Sequence, residues 1–203
     1  MKPTALLLLS FAAAAAAGAV VLDTEGNPLT PDAEYFINPA AIDLAGPLTL
    51  AARNDSCPLV VSLSPARSST ESGLPAIITP VRGDAAAVEL LEDVTVVFDA
   101  LTLCLQTTMW KIEFDRFGDG RFYVSTGTGD EGEPSAANRF KIRSAGGGDG
   151  DGDGGGQYEL VFCPSACENC RRLCAGLGVY EEEGRQWLGI RDEEPFPFVF
   201  IKA

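Results

Sequence analysis

Trp110-Lys111-Ile112-Glu113-Phe114 is the stretch on which the fold class turns. Apolar and charged residues alternate along it with a period of two, which puts one face in a core and the other in water; a helix would need its apolar residues three and four apart. Similar short runs recur on both sides. Before it come Glu34-Tyr35-Phe36-Ile37, Leu48-Thr49-Leu50, Pro58-Leu59-Val60-Val61-Ser62-Leu63, Ala76-Ile77-Ile78, Val88-Glu89-Leu90-Leu91, Val94-Thr95-Val96-Val97-Phe98 and Leu103-Cys104-Leu105. After it come Arg121-Phe122-Tyr123-Val124, Arg139-Phe140-Lys141-Ile142, Tyr158-Glu159-Leu160-Val161-Phe162, Trp187-Leu188-Gly189-Ile190 and Phe198-Val199-Phe200-Ile201. The runs are rich in β-branched and aromatic residues and are separated by Gly, Pro, Asn or Asp. No helical periodicity lasts more than a couple of turns. About a dozen short strands predict an all-β domain, either a sandwich or a closed barrel.

The first residues predict a compartment. Met1-Lys2 is a short basic start, Ala5 to Leu9 and Phe11 to Ala17 form an apolar centre, and Ala17-Gly18-Ala19 is a small-residue cleavage site. The run is mostly alanine and polar sequence follows at Asp23-Thr24-Glu25-Gly26, so a signal peptide over residues 1–19 is expected rather than a membrane anchor. Residues 20–203 then form one domain, secreted or held in the secretory pathway or vacuole. The formal charge is -14, a field that repels nucleic acid and anionic membranes and favours basic partners. The sequence holds no histidine. That excludes Ser-His-Asp and Cys-His catalysis and the commonest metal ligand. A two-carboxylate hydrolase would need a distinguished acidic pair, and no spacing singles one out.

Six cysteines, Cys57, Cys104, Cys163, Cys167, Cys170 and Cys174, follow the leader, and an even count on an oxidising route predicts disulfides. Arithmetic alone does not choose the pairing. The rival readings of the clustered four are a zinc site and, for Cys167-x-x-Cys170, a redox pair; the secretory context favours structural bridges. Residues 146–156 alternate Gly and Asp and are expected to form a loop. Asp149, Asp151 and Asp153 mimic the start of a calcium loop, but Leu160 stands where its closing Glu belongs, so no metal and no cofactor are expected. Asn54-Asp55-Ser56 is a glycosylation sequon.

Three landmarks now carry a resemblance. Val21-Leu22-Asp23-Thr24-Glu25-Gly26-Asn27-Pro28-Leu29, then Tyr35-Phe36-Ile37, is similar to the N-terminal signature of plant Kunitz (soybean-type) inhibitors. Asn54-Asp55-Ser56-Cys57-Pro58-Leu59 resembles the family's Cys-Pro-Leu strand entry, and Tyr158-Glu159-Leu160-Val161-Phe162-Cys163-Pro164 its third landmark. Cys104-Leu105-Gln106-Thr107-Thr108-Met109-Trp110 and the Phe198 to Lys202 tail look most like the cereal bifunctional α-amylase/subtilisin inhibitors. The resemblance implies a β-trefoil of twelve strands, a six-strand barrel closed by three hairpins. It also implies the bridges Cys57–Cys104 and Cys163–Cys174, with Cys167–Cys170 as an added third. The first two stabilise by about 4 and about 3 kcal/mol on loop entropy.

In the trypsin-inhibiting members an exposed loop meets the protease. Here the resemblance puts Thr79, Pro80, Val81, Arg82, Gly83 and Asp84 in that place, with Arg82 at P1, the residue that enters the primary pocket. A guanidinium suits a pocket carrying a buried Asp. Pro80 fixes its own φ and biases Thr79 toward extended backbone, so the loop loses little freedom on docking. Ser64-Pro65-Ala66-Arg67 offers an alternative arginine outside that position. The resemblance therefore implies no enzyme but a monomeric partner of a trypsin-like or subtilisin-like serine protease. The alternatives are an inhibitor of α-amylase, alone or with subtilisin, and a non-inhibitory storage or miraculin-like protein.

Overall fold

The computed structural model describes residues 18–41, 45–65, 73–116, 118–129, 134–146, 156–165 and 174–203. Residues 1–17 of the expected leader, Arg67, the calcium-like aspartates and Cys167 with Cys170 lie outside these. Twelve strands are described: β1 (Glu34–Pro39), β2 (Leu48–Arg53), β3 (Ser56–Leu63), β4 (Ala76–Pro80), β5 (Val94–Phe98), β6 (Trp110–Phe114), β7 (Phe122–Thr126), β8 (Lys141–Ser144), β9 (Tyr158–Phe162), β10 (Ala175–Glu182), β11 (Arg185–Ile190) and β12 (Pro197–Lys202). A 3-10 turn at Ala136–Asn138 is the helical element among the described residues.

Every strand pair is antiparallel, and the pairings close. β12 pairs with β1, β1 with β4 and β4 with β5. β8 pairs with β9 and β9 with β12. The remaining gap between β5 and β8 is bridged at Val94 and Phe140, whose backbones exchange hydrogen bonds of 2.8 and 2.9 Å. These six strands make a barrel without a free edge. The other six form hairpins β2–β3, β6–β7 and β10–β11. One strand of each hairpin meets one of the others, at Val60–Ser125, Leu63–Gln186 and Tyr123–Gly189. A six-strand barrel capped by a triangle of hairpins is the β-trefoil.

The alternation that predicts the strands fills this barrel. β4 and β5 each bury their first, third and fifth residues, and Trp110, Phe98 and Phe140 are fully or almost fully enclosed. Trp110 stacks in a tilted pair on Phe98 and edge-on against Phe140, with ring centres 5.4 and 5.9 Å apart. Disulfides join Cys57 to Cys104 and Cys163 to Cys174.

Three local expectations are corrected. Val88 to Leu91 is not a strand: Val88 plugs the core, and Leu91 turns to φ 62°, where a ladder cannot continue. Leu103 to Leu105 is not a strand either: Leu103 and Leu105 are both fully exposed, so the run has no core face to place on a sheet. β10 is a strand that the sequence pattern hides behind Gly176, Gly178 and two glutamates. Gly178 is there because a Cβ would sit 2.6 Å from the Glu194 carbonyl oxygen.

Candidate functional site

The β4–β5 pair ends with Pro80 opposite Val94, and Pro80 is buried there. Thr79 is half-buried beside it, and its carbonyl accepts the Thr95 hydroxyl at 3.4 Å. The chain leaves the barrel as the Val81 N–H donates to the Asp93 carbonyl at 2.8 Å. Val81, Arg82, Gly83 and Asp84 are then all exposed, and the Ala85 N–H closes a turn on the Arg82 carbonyl at 3.4 Å. The six residues singled out from the sequence thus form one strand end and the tip that follows it.

The return limb is fastened inward. Val88 is fully buried, its N–H donates to the Leu29 carbonyl and its carbonyl accepts the Val21 N–H, at 2.8 and 2.9 Å. Leu91 donates to the carbonyl of Ile142 at 2.8 Å. The N-terminal signature therefore braces the loop. Asp23 makes that possible: its Oδ1 accepts the Glu25 and Asn27 N–H groups at 2.9 and 2.8 Å, and Gly26 takes φ +83° in the same turn.

A polar hub lies under the loop. Asp93 forms an ion pair with Lys141 at 2.8 Å and accepts the Ser165 N–H at 3.0 Å. The Lys141 ammonium also donates to the Leu91 carbonyl at 2.9 Å and the Ser165 hydroxyl at 2.8 Å. Burial pushes the Asp93 carboxyl up, but Lys141 and the Ser165 N–H outweigh it and hold it below the usual carboxylate range. Nothing in the sequence marks this hub, since Glu92-Asp93 reads as a solvated turn between two apolar runs.

Arg82 has its side chain 65% exposed, with one guanidinium nitrogen 3.3 Å from Glu92 and 3.5 Å from Glu89. Glu92 also accepts the Glu89 N–H at 2.8 Å, so it shapes the return limb as well as facing the cation. Exposed pairs of this kind are worth under about 1 kcal/mol. The arrangement presents a cation on a braced tip. Of the other sequence candidates, Asn54 sits exposed at the tip of β2–β3, where it and Asp55 both have left-handed φ, 57° and 52°.

Comparison with known proteins fits this architecture. Residues 21–202 match the Kunitz legume family model, described as trypsin and protease inhibitor. The chain is 32% identical to Kunitz type trypsin inhibitor 106 of Medicago truncatula, over 90% of this chain and 86% of that protein. It is also 32% identical to the alpha-amylase/subtilisin inhibitor of Oryza sativa subsp. japonica, over 98% and 91%. The solved rice bifunctional alpha-amylase/subtilisin inhibitor superposes with a TM-score of 0.68 at 33% identity, covering 92% of this chain and all of that one. Soybean trypsin inhibitor shares the fold, with a TM-score of 0.68 at 24% identity and coverage of 91% and 99%. These relatives are inhibitors rather than enzymes, and the chain belongs to the Kunitz family of trypsin and protease inhibitors.

Proposed function

We propose that this protein is a secreted, monomeric inhibitor of trypsin-like serine endopeptidases that acts through residues 79–84, with Arg82 as P1. The carrying observation is an exposed guanidinium on a tip whose two limbs are pinned to the barrel. A trypsin-like pocket closes on a cation with its buried aspartate. Docking exchanges the weak Glu89 and Glu92 pairs for that desolvated one. The bracing limits the freedom lost on binding and keeps the ends of a cut loop together, which slows turnover. Stoichiometric titration against trypsin tests this: Arg82→Ala is expected to abolish inhibition, and retained potency would refute the role of Arg82. The oxidised bridges and the expected leader support the secretory part of the reading. Expression through a eukaryotic secretory route should yield a chain starting near Val20 and carrying a glycan on Asn54, which mass spectrometry before and after deglycosylation reads directly.

A second reading rests on the cereal relative: inhibition of α-amylase, subtilisin or both. The same preparation assayed against those two enzymes separates it from the first, and inertness toward both rules it out.

A further inference from the structure

Leu101, Leu103 and Leu105 are all fully exposed, each at 104% of its reference accessibility, on the connection between β5 and β6. One bare leucine is unremarkable, but three at alternate positions of one loop concentrate apolar surface there. The loop is also built to hold its shape. At its base the Phe98 N–H donates to the Thr108 carbonyl at 3.3 Å, the Thr108 hydroxyl returns to the Phe98 carbonyl at 2.5 Å, and the Asp99 N–H donates to the Pro75 carbonyl at 2.8 Å. At its tip Cys104, between two of the leucines, is bonded to Cys57. Thr102 donates to the Cys104 carbonyl at 3.1 Å. Leucine side chains held out on a braced loop lose little freedom on docking and release ordered water when buried.

We propose that residues 99–108 form a second protease-binding loop, directed at a serine endopeptidase with an apolar primary pocket, with Leu103 as the anchor. The proposal rests on the inhibitor reading of the family but not on Arg82. Apolar pockets of this type, such as the hydrophobic slot of chymotrypsin, take a branched aliphatic side chain where a trypsin pocket takes a cation. The disulfide selects Leu103. Acylation of the protease serine by the Leu103 carbonyl breaks the Leu103–Cys104 peptide bond, and the proton passes to the departing Cys104 amine. The Cys57–Cys104 bridge keeps that amine with the body of the inhibitor, so it re-attacks the ester, restores the peptide bond and frees the serine. The two loops also occupy opposite ends of the β4–β5 pair, since Pro80–Val94 is one end and Ala76–Phe98 the other. Roughly 13 Å of strand separates those ends, and the chains leave them in opposite directions.

The test uses the full mature protein, with trypsin and chymotrypsin as probes. Leu103→Ser is expected to weaken chymotrypsin inhibition about 100-fold, the loss of one buried leucine anchor, and to leave trypsin inhibition unchanged. Arg82→Ala is expected to do the reverse. Size-exclusion chromatography with light scattering should find a ternary complex carrying both proteases. After long incubation with chymotrypsin, the cut should map to Leu103–Cys104. Failure of the wild type to inhibit chymotrypsin, equal inhibition by Leu103→Ser, or a cut mapped elsewhere would overturn the proposal. The trypsin arm bears only on Arg82, so the two readings fail separately. Because the leucine is bare, Leu103→Ser should melt with the wild type, and that measurement guards against misfolding.

Discussion

Asp23 illustrates how one side chain can carry a signature. It is 4% exposed, and burial alone would raise its pKa, but the Asn27 and Glu25 N–H groups hold the carboxyl below its usual value. Asp23→Ala would leave two backbone donors without their partner next to the Leu29 and Val21 contacts that brace the candidate loop. The expected cost is about 2–3 kcal/mol in urea unfolding. An unchanged midpoint would mean that water replaces the carboxylate. Asp23 and Gly26 could be read from the sequence as landmarks, yet their physical task could not, because it consists of bonds to neighbours two and four residues on. Asn138 left no trace at all. It is fully buried and donates to the carbonyls of Trp110 and Gly127 at 2.8 and 2.7 Å, while the sequence around it reads as polar loop. Glu92 allows a gentler test. Glu92→Gln removes the charge facing Arg82 and keeps an oxygen for the Glu89 N–H, so trypsin binding should tighten a few-fold, in line with the small worth of exposed pairs. Weaker binding would show that the pair preorganises the arginine instead.

Among the elements, legibility followed periodicity. β5, β6 and β9 have ends matching the predicted runs; β5 alternates throughout, β6 alternates until Phe114 is left exposed, and β9 buries Val161 along with its core face. The connection after β4 misled for a physical reason: Val88 is as buried as any strand residue, but it is held by single bonds to the N-terminal segment rather than by a ladder. β10 was hidden because close packing demanded glycines where strands prefer branched residues. The candidate tip at Pro80 and Arg82 was placed by the family resemblance, since a turn proline before an arginine reads on its own as a solvated loop; the hub beneath it left no sign, because Lys141 and Ser165 come from distant parts of the chain. Asp93→Ala tests the hub. It would leave the half-enclosed Lys141 ammonium with neutral acceptors only, and should cost about 2 kcal/mol with faster amide exchange at Leu91. Unaltered exchange there would separate the hub from the loop.

For the molecule as a whole, two electrostatic effects of opposite sign compete as pH falls. The chain carries 29 acidic against 15 basic residues, so self-repulsion is large at neutral pH and eases as surface carboxylates protonate. Glu34 adds to this: its hydrogen bond with Asp99 and partial burial raise its pKa, so that pair gains stability on acidification. Against it stand Asp23, Asp93 and Asp119, whose folded pKa values all lie below ordinary ones. Burial opposes ionisation at Asp119 too, and the Tyr123 hydroxyl with the Arg121 N–H overcomes it. A depressed carboxylate contributes its full stability above the unfolded pKa, near 3.9, and loses it as pH drops through the folded value. The thermal midpoint should therefore rise from pH 7 to about pH 5 and fall below about pH 4. Salt separates the two causes, because diffuse surface repulsion is screened within about 10 Å at 0.1 M while contacts held at hydrogen-bond distance are not. Scanning calorimetry at about 0.5 M sodium chloride should flatten the rise and preserve the fall. If salt erased the acid loss as well, the three anchored carboxylates would not be its source.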